Sequence, residues 1–138
     1  MGNKEAIPKM KQSFIVLGEG LTDLFEFKTL IQYNHERINR IVFFNSPSSD
    51  KGLSSAAIIM NPTEGNYFQA MYIMLNAFPY PHPEDNKKSA MIRGFAEDYQ
   101  LPLNELDVKS SDEFHDLELY FNYLVGVLRL YHWIPPLQ

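Results

Sequence analysis

Residues 67–77, YFQAMYIMLNA, constrain most what this chain can fold into. Side chains along a strand point alternately to opposite faces, so a strand with one wet face alternates apolar with polar residues. Here Phe68, Ala70, Tyr72 and Met74 fall on one face, and Met71, Ile73 and Leu75 on the other. Both sets are apolar. Such a strand belongs inside a sheet covered on both faces. Residues 13–17 and 40–44 share the property, so the chain calls for helices on both sides of one sheet.

Three helical patterns supply that cover. In residues 23–37, Leu24, Phe27, Leu30, Ile31, Asn34 and Ile38 recur on one side, and Asp23 followed by Glu26 forms a capping-box pattern at the start. In residues 86–99, Met91, Ile92, Phe95, Ala96 and Tyr99 face inward. Gly94 weakens that helix by about 1 kcal/mol relative to alanine, which implies close packing there. A second capping box, Ser110 with Glu113, predicts a last helix running to about residue 130 and stopped by Pro135 and Pro136. Two further strands fall at 55–61, ended by Pro62, and at 103–108. Residues 45–52 and 61–66 carry turn chemistry, and the alternating prolines of 78–85 favour an extended segment.

The order β-α-β-β-β-α-β-α predicts a single α+β domain over residues 12–138, behind a flexible leader at 1–11. Its sheet is expected to be mixed, largely antiparallel, with helices covering both faces. A restriction-endonuclease-like topology is the alternative, because helix, three antiparallel strands, helix and strand is also that fold's core order. Nucleases of that kind need two carboxylates for magnesium and a lysine for the attacking water. The strands SSAAIIMN and YFQAMYIMLNA contain neither.

Composition narrows the function. The chain has no cysteine, which removes disulfides, thiolate metal sites and cysteine nucleophiles and favours the cytoplasm. A net charge of −5 argues against nucleic acid as a partner, since such proteins neutralise phosphates with basic side chains. The short clusters His35, Arg37, Arg40 and Lys87, Lys88, Arg93 read as solvated faces. Residues 117–134 are the most apolar, but Glu118, Asn122, Arg129 and His132 interrupt them, so no membrane association is expected.

Gly18-Glu19-Gly20, between the first strand and the first helix, has the outline of a phosphate loop. A dinucleotide site needs a third glycine where Asp23 stands, and a P-loop needs a lysine before the helix. A tight turn into a capped helix is the better reading. Glu19 and Asp23 remain binding candidates for a metal or small polar ligand at the end of the first strand. Asp112, His115 and Glu118 are spaced to share a face of the last helix, but other helices lack the carboxylates to complete a site, so a solvated stripe is expected. No metal site and no cofactor are expected.

Aromatic residues are abundant, with ten Phe, eight Tyr and one Trp. Phe14, Phe43, Phe95 and Phe121 sit at inner positions, whereas each Tyr and Trp carries a polar group that needs a partner. Tyr80 and His82, in the proline-rich segment, are binding candidates. The last helix is apolar almost all the way round, so it is either enclosed or packed against a second chain. A homodimer is expected, with Tyr120, Tyr123, Val127, Tyr131 and Trp133 at its interface.

From FIVLGEG through YLVGVLRLYHWIPPLQ, residues 12–138 resemble a small uncharacterised family of bacterial proteins. The likeness rests on LGEG after the first strand, an N-P-T turn before the fourth, and a closing L-x-G-x-L-R with I-P-P. It implies a bacterial, cytoplasmic protein and assigns no catalytic residues. The functional expectation is a non-enzymatic binding or regulatory module that acts as a homodimer and also accommodates another protein partner. The alternative is a small enzyme or metal- or ligand-binding protein using Glu19 and Asp23.

Overall fold

The computed structural model describes residues 11–17, 22–47, 52–62, 68–80 and 86–135. Three strands, β2 (Ile38–Ser46), β3 (Leu53–Met60) and β4 (Phe68–Pro79), form an antiparallel centre. A strand is added in parallel at each edge. β1 (Lys11–Val16) joins β4, and β5 (Leu103–Asp107) joins β2, giving the order β1-β4-β3-β2-β5. The fold is thus α+β with a mixed sheet. Helices α1 (Thr22–Asn34) and α2 (Lys87–Asp98) pack on one face, and α3 (Leu117–Leu130) on the other.

Alternation within the strands builds both cores. On β2, Ile41 and Phe43 meet Phe27 and Ile31 of α1 and Ile92 of α2, while Val42 and Phe44 turn toward Leu124 and Leu128 of α3. On β4, Ala70, Tyr72 and Met74 take the first face, and Met71, Ile73 and Leu75 the second, as the two-sided apolar pattern requires. Beyond Met74 the register slips. Ala56 opposes Met74 whereas Ser54 opposes Phe78, so β4 carries two extra residues there. An even insertion preserves face, and Phe78 returns to the core that Met74 occupies. Asn76 absorbs the bend at φ 49, its N–H donating to the Ser55 hydroxyl at 3.0 Å.

Several expectations need correction. β1 was expected to be buried on both faces, but it is an edge strand with Ile15 and Val16 40% and 43% exposed. It also begins at Lys11, inside the stretch expected as a leader. α1 starts at Thr22, which puts Asp23 in the first turn and not at the cap. Gly94 is not a point of close packing, because a Cβ there would meet nothing within 4 Å.

The last helix is the main revision. The Ser110–Glu113 capping box forms, but it closes only a 3-10 turn, Ser111–Glu113. Phe114 then adopts extended geometry and lays its ring against Tyr120 and Tyr123, at 5.5 and 5.1 Å. Helix α3 restarts at Leu117, with the Asp116 carboxylate accepting from the Leu119 N–H at 2.9 Å. Asp112, His115 and Glu118 therefore share no helical face. Packing of one aromatic ring outweighs continuation of the helix.

Candidate functional site

A cleft of 330 Å³ opens where β2 and β4 begin and β3 ends. It is lined by Asn39, Asn61, Pro62 and Gln69 from the sheet and by His132, Trp133, Ile134 and Pro135 from the segment after α3. The turn at the end of α3 brings that segment back. The His132 N–H donates to the Arg129 carbonyl and the Trp133 N–H to the Leu128 carbonyl, with His132 left-handed at φ 60. This is the Schellman arrangement, which satisfies the last carbonyls of the helix. Ile134, the next residue, is buried in the α3 core.

Beneath the cleft runs a directed chain of hydrogen bonds. Arg129 donates through Nε and Nη2 to Gln12 Oε1, at 2.9 and 2.6 Å. Gln12 Nε2 donates to Gln69 Oε1 at 2.9 Å and to the Pro135 carbonyl at 3.0 Å. Gln69 Nε2 donates to the Met60 carbonyl at 2.9 Å. A guanidinium only donates, so Gln12 must turn its oxygen to Arg129 and its nitrogen to Gln69. Gln69, 2% exposed, is then fixed in turn. The relay ties β1, β4, β3, α3 and the closing segment into one polar junction.

Arg40 supplies the charge. Its Nε donates to Asn39 Oδ1 at 2.8 Å and its Nη1 to Asn104 Oδ1 at 2.9 Å, and its guanidinium lies 4.5 Å from the centre of the Trp133 ring. Among the described residues all its polar partners are neutral carboxamides. Desolvation by burial pulls the guanidinium below the usual arginine range, though it stays charged. Arg129 likewise has only a carboxamide partner. No carboxylate is among the residues that line the cleft.

The residues singled out from sequence are scattered. Trp133 lines the cleft, and Tyr131 leans on it at 5.0 Å. Tyr120 faces its own core. It is 2% exposed there, and burial pushes its hydroxyl up to about 12 against a hydrogen bond to Ser55. Tyr123 is half-buried, its hydroxyl accepting from the Lys109 N–H at 3.1 Å, and Val127 is half-buried against the same core. Tyr80 follows the far end of β4, with its N–H on the Gly52 carbonyl at 2.7 Å, away from the cleft. Asp23 is paired with Lys88 of α2 at 2.8 Å, and its Oδ1 is buried without a hydrogen-bond partner. Glu19 and His82, and with them the G-x-G turn, lie outside the described residues. Among the described residues no three His, Asp or Glu side chains gather as a metal site. No helix among them is long and apolar enough to cross a membrane. Of the restriction-endonuclease pattern only the element order remains, since the described parts of β3 and β4 carry no carboxylate or lysine.

Sequence reasoning missed Gln12, Asn39, Arg40, Gln69 and Arg129. Carboxamides follow no motif, and Arg40 was grouped with a solvated basic cluster. The one usable signal was the placement of the polar residues Arg40 and Gln69 next to the long apolar runs of their strands.

The fold and cleft together define a small α+β protein with a carboxamide-lined recess, Arg40 packed on its Trp133 wall, and no assembled metal centre among the described residues. Residues 10–134 match the family described as Domain of unknown function (DUF7147), and the chain belongs to that family. No curated protein and no solved structure matches it.

Proposed function

We propose that the protein is a non-enzymatic binding module of the bacterial cytoplasm that acts as a homodimer, and that its cleft holds a small organic anion. One observation carries the ligand reading: among the described residues Arg40, half-buried beside the cleft, has polar contacts only to neutral carboxamides. A desolvated cation without a counter-ion is stabilised by an incoming carboxylate or phosphate. Trp133, Ile134, Pro62 and Pro135 offer apolar surface to the rest of the molecule, and 330 Å³ suits a metabolite-sized ligand. The residues around the recess hold and orient; none is placed as a nucleophile with its base.

The test is a thermal-shift panel of small carboxylates and phosphates with their neutral amides. A ligand at one hundred times its Kd stabilises by about 2.7 kcal/mol. Anionic members should raise Tm for the native chain and fail with Arg40→Gln. Equal shifts from acids and amides, or none from any member, would refute the reading. A second reading is favoured by one observation, the Asp23 Oδ1 in the first turn of α1, buried without a hydrogen-bond partner. It predicts stabilisation by a divalent cation that Glu19→Gln abolishes.

A further inference from the structure

Helix α3 has a second apolar stripe, on the side away from the sheet. Leu119, Tyr123, Gly126 and Leu130 recur at steps of four, three and four, the spacing of a helix–helix seam. Leu119 is 48% and Leu130 78% exposed. The core side of the same helix is filled by Tyr120, Leu124, Val125 and Leu128, and of the outer stripe only Tyr123 packs within the monomer, against Phe114, so Leu119 and Leu130 contribute little to it.

Gly126 sharpens the point. A glycine inside a helix costs about 1 kcal/mol relative to alanine. A Cβ at Gly126 would meet nothing within 4 Å, so the chain's own fold does not require glycine there. Gly94 is equally open, but it lies among Lys87, Ala90, Glu97 and Asp98 on a polar face. Gly126 lies instead on the apolar stripe, where a missing side chain lets another helix come close.

We infer that the occupant of this stripe is a second copy of the chain, with the two α3 helices antiparallel about a two-fold axis between residues 124 and 125. This rests on the homodimer proposed above and specifies its geometry. One axis sets every contact. Leu119 meets Leu130 of the partner subunit, and the exposed edge of Tyr123 covers Gly126 of the partner subunit, each large residue facing a gap or an apolar match. Glu118 and Arg129 stand on the same flank of the stripe, less than 120° from it at 100° per residue. The same axis leaves Glu118 two residues, about 3 Å along the helix, from the level of Arg129 of the partner subunit, within reach of the long side chains, so opposite charges approach each other at both ends of the seam. A parallel pair would set Gly126 on Gly126 and Tyr123 on Tyr123, leaving a void and a crowded ring.

The absence of cysteine makes the test clean. Oxidation of the double variant Leu119→Cys/Leu130→Cys should give a covalent dimer on a non-reducing gel. Within one helix these positions are about 16 Å apart, too far for an internal disulfide. Leu130→Cys alone should give none. Gly126→Leu should weaken self-association at least tenfold in light scattering while the thermal transition stays cooperative. Native protein that is monomeric at micromolar concentration overturns the homodimer and the seam together. A dimer that cross-links through Leu130→Cys alone, or in neither variant, or that Gly126→Leu leaves unchanged, overturns the seam and leaves the homodimer standing.

Discussion

Gln12→Ala tests whether the relay beneath the cleft holds the closing segment to the sheet. The substitution removes four hydrogen bonds: two from Arg129, one to Gln69 and one to the Pro135 carbonyl. Two consequences differ in size. Gln69, at 2% exposure, keeps its bond to the Met60 carbonyl but leaves Oε1 buried and unpaired, which costs about 1–3 kcal/mol. Arg129 is half-buried and can turn to water, so its loss is nearer 1 kcal/mol. The total is about 2–4 kcal/mol. Urea unfolding at fixed protein concentration reads it directly, with the single tryptophan, Trp133, reporting from the cleft wall. Gln69→Leu in the same background removes the orphaned oxygen, so the double variant should be less destabilised than the two single losses added, by at least 1 kcal/mol. A loss under 0.5 kcal/mol for Gln12→Ala, or simple additivity, refutes the reasoning.

Three further outcomes are expected. Gly94→Ala should raise stability by about 1 kcal/mol in urea, because the new methyl meets open space and only helix propensity changes. Gly52→Ala should lower it by about 2–4 kcal/mol by the same measure: Gly52 holds a left-handed φ of 55, and an added Cβ would collide with the Tyr80 carbonyl. The buried hydroxyl of Tyr120 sits near 12 when folded and near 10.0 when unfolded, so the folded state keeps its proton longer. That contribution is intact below pH 10 and is lost as pH rises to 12, at about 1.4 kcal/mol per pH unit. Tyr120→Phe should flatten that part of the stability–pH curve relative to the native chain; an unchanged slope counts against the burial argument.

The sheet was legible because its signal is redundant. β2 and β4 are apolar on both faces over many residues, and only a doubly covered interior position suits such a strand. β1 misled for the same reason. The short apolar run Phe14–Leu17 looks alike at an edge and in the middle, and the parallel pairing of β1 with β4, formed across 57 positions, depends on how the intervening helix and meander fold. Caps were legible as local chemistry but not as to what they open: Ser110 and Glu113 satisfy each other whether or not a helix continues. The dimer candidates were drawn from the helix as a whole, and the wheel could not tell its inner from its outer apolar side. Tyr120 turned inward, while Leu119 and Leu130 turned out.

The cleft was hidden for a different reason. Its polar side chains come from the beginnings of β1, β2 and β4, the end of β3 and the turn after α3, and no two of the relay's residues lie close in sequence. Carboxamides also carry no fixed charge, so composition and spacing register nothing when they align. What orders them is the cation at one end. Arg129 can only donate, each amide must accept on one side and give on the other, and the sequence of orientations runs unbroken to the Met60 carbonyl. Arg129 also flanks the outer stripe of α3, where the inferred two-fold axis brings Glu118 of the partner subunit within its reach. The guanidinium that orients the amides beneath the cleft is therefore the same one a second chain would approach.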